Sequence, residues 1–184
     1  SDLEEVLRRA EKLIEDLERI VRKVLEDSDR SIDEVRRHTE KVLRDVRKLA
    51  EELKDIARKT SRKEDLRRIV EEVKREVKEL IKDNRRLLER VNRENEKILR
   101  ELRKIVEKVK RDVERLLDAL DKRSRTEEVK RVIDEIRDRL RKAEERVRKV
   151  IEDIKRKNKK LREDSEKAER EIDELLRKVE EDVK

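Results

Sequence analysis

Apolar residues return along this chain every 18 residues, which is five turns of an α-helix at 3.6 residues per turn. Leu3 is followed by Val21, Thr39 and Ala57, Leu17 by Val35 and Leu53, and Ile20 by His38 and Ile56. Leu66, Asn84, Leu102 and Leu120 form one later row, and Val73, Val91 and Val109 another. Val129, Val147, Ser165 and Val183 continue the pattern, beside Ile136, Ile154 and Ile172. A repeat of 3.5 residues per turn imposes a left-handed supercoil and 3.67 a right-handed one, so 3.6 predicts nearly straight helices. The phase slips by two residues near 61 and again near 124, which predicts loops there. Helices are therefore expected at about 2–59, 62–121 and 125–183, each roughly 58 residues and about 85 Å long.

Ser-x-x-Glu patterns mark the expected helix starts: Ser1 with Glu4, Ser61 with Glu64, and Ser124 with Glu127. In such a capping box the Ser oxygen and the Glu carboxylate satisfy backbone N–H groups that have no partner inside the helix. Ser31 with Glu34, in "SDRSIDE", offers a fourth start. The apolar phase runs through that segment unbroken, Ala10 to Ser28, Leu13 to Ser31 and Ile14 to Ile32, whereas a loop would reset it. On a helical projection the apolar positions fill one arc per helix, about 100–140° wide, which suits a small bundle around one central core. Short connections make sequence neighbours antiparallel. The expected fold is all-α: a straight, essentially untwisted antiparallel three-helix bundle, up-down-up, in a single domain.

Composition narrows the picture further. The 184 residues use twelve amino-acid types and include no Gly, Pro, Cys, Met, Phe, Trp, Tyr or Gln. Average usage would supply about a dozen Gly and about nine Pro. A chain without either residue has little means of making many turns. Charged residues make up 60% and apolar ones 32%, yet the net charge is only +7, because 59 basic residues alternate closely with 52 acidic ones. Such alternation supports ion pairs along exposed helix faces, each worth about 0.2–0.5 kcal/mol. The absence of Cys excludes disulfides, thiolate nucleophiles and thiolate metal ligands. No apolar run approaches a membrane span and no signal-peptide pattern is present. The start at Ser1 without Met is the start expected of a chain trimmed by a protease or numbered after a tag.

Against so charged a background, uncharged polar residues stand out. Thr60 and Thr126 belong with the cap serines at helix ends. Nine others lie toward the middles of the helices: Ser28, Ser31, His38, Thr39, Asn84, Asn92, Asn95, Asn158 and Ser165. Eight fall on the apolar phase and Asn92 flanks it. Folding the chain at the two loops sets Ser28 and Ser31 level with Asn95 and Asn92, with Asn158 within about a turn of Asn92. It sets His38 and Thr39 level with Asn84, and Asn84 level with the turn that holds Ser165. Two buried hydrogen-bonded levels are predicted. An unpaired buried amide or hydroxyl costs about 1–3 kcal/mol, so networks of this kind penalise every register that separates their members.

Other chemistry is thinly represented. His38 has no second His or Cys with which to bind zinc, which takes about four ligands, so a place in the network is the expected role and no metal or cofactor is implied. "KRKNKKLR", residues 155–162, has the composition of a nucleic-acid patch, but Asn158 and Leu161 lie on the core phase, acidic residues flank it, and no aromatic is present to stack a base. Carboxylate pairs occur everywhere in such a chain and carry no information about hydrolysis.

The straight 18-residue repeat, the repeated capping boxes, the twelve-letter alphabet and the centred polar levels together resemble computationally designed, parametrically generated helical bundles with buried hydrogen-bond networks. That resemblance covers all 184 residues and implies an engineered, stable scaffold with no native substrate, cofactor or compartment. The corresponding expectation is a monomer that requires no partner, binds neither nucleic acid nor membrane, and is made as a soluble protein in the cytoplasm of a host. The alternative is an interaction module, self-associating or accepting a further helix, whose polar levels select the partner.

Overall fold

The computed structural model of the protein describes residues 2–183. Three helices account for nearly all of it: α1 (Asp2–Lys59), α2 (Lys63–Arg123) and α3 (Glu127–Val183). They pack against one another as a three-helix bundle. α1 is continuous through Ser28 and Ser31, so the Ser31–Glu34 pattern lies inside a helix, as the unbroken apolar phase requires. The connections at 60–62 and 124–126 are three residues long. No described residue has a positive φ, so both reversals are made in backbone regions open to any L-residue, and glycine is not needed.

The helix starts differ from the capping boxes read in the sequence. Lys130 N donates to the Thr126 carbonyl at 3.1 Å, and Val129 N donates to Thr126 Oγ1 at 3.3 Å. Thr126 is therefore the N-cap of α3, followed by Glu127 and Glu128 in the first turn, where carboxylates complement the helix dipole. Ser124 instead closes α2, its N–H donating to the Leu120 carbonyl at 3.1 Å. Ahead of α2, Leu66 N donates to the Arg62 carbonyl at 3.3 Å. That puts Arg62 in the N-cap position and Ser61 one residue outside it, while Thr60 N closes α1 on the Ile56 carbonyl at 3.0 Å. With Ser124 and Thr126 two residues apart, either hydroxyl can serve, and the one whose own carbonyl starts the helix wins. Ser1, the first cap expected from the sequence, lies outside the described residues.

The chain forms two compact units: residues 1–29 with 94–156, and residues 30–93 with 157–184. In the first, Ala10, Ile14, Leu17 and Val21 of α1 pack with Leu102, Val113, Leu117 and Leu120 of α2 and Ile133, Ile136, Leu140 and Ile154 of α3. Three- and four-residue spacings keep each set on one helix face. Each fully buried Leu or Ile contributes about 1.5–3 kcal/mol relative to exposure, and most of this unit's stability comes from these contacts. In the second unit the core has two separate aliphatic clusters. One holds Ile32, Val35, Leu88, Val91 and Leu161. The other holds Val42, Val46, Leu53, Leu66, Val77 and Ile172 among its members. Between them along every helix stand polar or small residues: His38 and Thr39 on α1, Asn84 on α2, and Ser165 and Ala168 on α3.

Thr126→Ala should therefore lower stability by about 1 kcal/mol in urea denaturation, whereas Ser124→Ala and Ser61→Ala should each stay within about 0.5 kcal/mol of the parent.

Candidate functional site: a polar layer in the second unit

Asn84 is the centre of the layer. It occupies the row Leu66, Asn84, Leu102, Leu120, whose three leucines are all buried, and it is itself only 5% exposed. A carboxamide at such a position must be hydrogen-bonded or cost about 1–3 kcal/mol. Its Oδ1 receives two bonds from α1: His38 Nδ1 lies at 2.8 Å and Thr39 Oγ1 at 3.0 Å. Thr39 Oγ1 also lies 2.9 Å from the Val35 carbonyl one turn back, so its single proton is shared between two acceptors.

Amide oxygen only accepts, so His38 Nδ1 must carry the proton in this arrangement. The neutral ring is then the Nδ1–H tautomer, with Nε2 left as an acceptor; the imidazolium keeps the same bond. His38 is half-buried, a consequence of its row, since Ile20 and Ile56 on the same 18-residue repeat are each 36% exposed. The ring lies at the edge of the apolar stripe. It reaches inward to Asn84 and borders a surface groove shared with Glu34, Arg86 and Arg90.

Ion pairs on the outside of the unit agree with this register. Beside Asn84, Arg85 makes a forked bond to Glu169 of α3, Nε at 2.6 Å and a terminal nitrogen at 2.8 Å. The hydrogen bond to Glu169, then its charge, raises the Arg85 guanidinium above its ordinary range. Arg47 of α1 bonds Glu171 of α3 through Nε at 3.2 Å. Lys74 pairs with Glu180. Exposed pairs of this kind contribute about 0–1 kcal/mol each, so they favour the alignment without determining it.

The remaining polar residues behave differently. Ser165 is 3% exposed, on the same level as Asn84, but its Oγ finds no hydrogen-bond partner among the described residues. Spacing along the chain sets it beside Asn84. Height, however, says nothing about reach: a Ser oxygen stands one bond beyond Cβ, and the Asn84 oxygen is already held by α1. In the other level, Ser28 and Asn95 belong to the first unit and are each 1% exposed. Ser31, Asn92 and Asn158 belong to the second, with Asn92 buried and the other two half-buried. Ser28 Oγ and Asn92 Oδ1 also lack partners among the described residues. Three buried oxygens are thus without a hydrogen-bond partner among the described residues.

Within "KRKNKKLR", Leu161 is buried and Asn158 half-buried, and Lys155, Arg156, Lys159, Lys160 and Arg162 are exposed. Among the described residues no group of three or more His, Cys, Asp or Glu side chains could hold a metal ion. No described helix is long and apolar enough to cross a membrane.

Neither a protein-family model nor a curated protein matches the chain. Among solved structures, one described as a computationally designed three-helix bundle superposes with a TM-score of 0.76. It is 22% identical, with 99% of this chain and 92% of that one covered. The likeness establishes the three-helix-bundle fold.

Long-range 1H–15N correlation of the imidazole should show His38 in the Nδ1–H tautomer when neutral. The Nε2–H pattern would mean that Asn84 presents its NH2 group, with His38 and Thr39 accepting.

Proposed function

We propose that this chain is an engineered structural scaffold, with no native substrate and no catalysis, in which buried polar residues set the register of the helices. The single observation that carries this reading is the Asn84 oxygen accepting from both His38 and Thr39 in a row whose other members are buried leucines. A leucine in that row would be the stabilising choice, as Leu102 and Leu120 show at 1% exposure each. An amide there is useful for specificity and not for strength. The twelve-letter alphabet without Gly or Pro and the likeness to a designed bundle support an engineered origin. A scaffold of this type works alone, as a monomer in need of no partner, cofactor or nucleic acid.

The magnitudes give a direct test. Asn84→Leu forfeits two hydrogen bonds, each worth about 0.5–1.5 kcal/mol net, and Thr39 can fall back on the Val35 carbonyl. Burying the leucine returns about 1.5–3 kcal/mol. The variant should melt at the parent temperature or above it, while its amide spectrum loses uniformity; a loss of more than about 2 kcal/mol would mean that the layer is there for stability. Sedimentation equilibrium at micromolar concentration should return the 22.6 kDa of one chain, and a dimer would favour an interaction module instead.

A further inference from the structure

His38 is the chain's one imidazole, and its Nδ1 is taken by the buried Asn84 oxygen at 2.8 Å. The two ring nitrogens point in diverging directions, so a ring whose Nδ1 faces the core turns Nε2 outward. Nε2 makes no hydrogen bond among the described residues, and unlike the Ser165 oxygen it is not enclosed. It opens on the surface groove of about 520 Å³ that His38 lines with Glu34, Asp83, Arg86, Arg90 and Arg93. With the proton held on Nδ1, the neutral ring presents a lone pair there.

An imidazole anchored through one nitrogen is the usual form of a metal-ligating histidine. The outer hydrogen bond fixes the tautomer, holds the ring and raises the basicity of the free nitrogen. From this geometry we infer that His38 Nε2 coordinates a divalent transition metal delivered as an anionic chelate. The step moves no proton and no electron: the lone pair enters the metal's shell, a water leaves it, and the ring stays neutral. A bare ion is not the ligand, because its shell cannot be completed here. Among the described residues no group of three or more His, Cys, Asp or Glu side chains could hold one. Both carboxylates of the groove are already in ion pairs, Glu34 with Arg90 at 3.7 Å and Asp83 with Arg86 at 3.8 Å. A chelator supplies the missing ligands. Its charge follows from Arg93, which is exposed and has no carboxylate partner among the described residues. Three guanidinium groups thus stand against two carboxylates, and the excess favours an anion. Copper(II) follows from the donor, since imidazole suits it and it binds most tightly among the first-row divalent ions.

Copper(II) nitrilotriacetate, an anion that keeps a position for a further ligand, is the probe. Pulsed electron paramagnetic resonance of the unaltered protein should show modulation from the remote nitrogen of one imidazole, which only His38 can supply. Amide resonances around residue 38 should broaden and saturate with the same dissociation constant. His38→Gln should abolish both signals. Asn84→Leu removes the bond that holds the ring and should weaken binding about tenfold to a hundredfold. Asn84→Asp keeps an accepting oxygen and should restore it; circular dichroism checks that each variant remains helical, and the signals of the unaltered protein test the site if one does not. Arg93→Gln should weaken the anionic chelate more than neutral copper(II) iminodiacetate. Coordination is overturned if no imidazole modulation appears, or if His38→Gln binds like the parent. The anchoring role of Asn84 is overturned if Asn84→Leu binds as tightly as the parent, and the preference for an anion if Arg93→Gln affects both chelates equally. None of these outcomes bears on the register role of Asn84, which does not use Nε2.

Discussion

A carboxamide placed in an aliphatic core has to be given hydrogen-bond donors, and it can be given them in only one alignment. In the proposed function, Asn84 is the residue that imposes this condition on the second unit. Sliding α1 by one turn, about 5.4 Å, would leave its apolar stripe facing apolar residues still. It would separate Asn84 from both His38 and Thr39 and leave its buried oxygen unpaired, at a cost of about 1–3 kcal/mol. Hydrophobic burial supplies the strength of the bundle but cannot choose between such registers, because a stripe with an 18-residue repeat is nearly the same after a shift. On that proposal, choice comes from the few positions where the repeat is broken by a different chemistry.

That division of labour also shapes the core. The polar and small residues at 38, 39, 84, 165 and 168 separate two aliphatic clusters in the second unit. A groove between α1 and α3 lies on the same level, beside Ser165 and Ala168. On that proposal, specificity and imperfect packing have one source. Asn84 stands in a row of leucines and Ser165 in a row of valines, and the serine fills less volume than a valine would.

Much of this was legible in the residues, for identifiable reasons. A two-residue slip rotates the apolar phase by about 200°, so the loops near 61 and 124 could not be hidden by charged neighbours. The same phase, unbroken through Ser28 and Ser31, kept α1 whole against a local capping pattern. Folding at the loops brought His38 and Thr39 level with Asn84, where the structure places their hydrogen bonds. Caps were less legible, because Ser124 and Thr126 lie two residues apart and either fits the chemistry of a helix start. Ser165 shows the other limit. A level assigns height along the bundle, but a hydrogen bond also needs rotation and reach, and neither is written in the spacing of residues. The two compact units carry no mark in the sequence, since each boundary between them falls inside a continuous helix.

The most direct test of the register claim measures the α1–α2 alignment itself. The chain has no cysteine, so spin labels can be attached through Lys41→Cys and Lys82→Cys, both exposed positions of the second unit. Double electron–electron resonance on the otherwise unchanged protein should give one narrow distance distribution. With Asn84→Leu added, the distribution should broaden or gain a second component consistent with a shift of about one helical turn. Two identical narrow distributions would show that aliphatic packing alone fixes the register and that Asn84 does not set it.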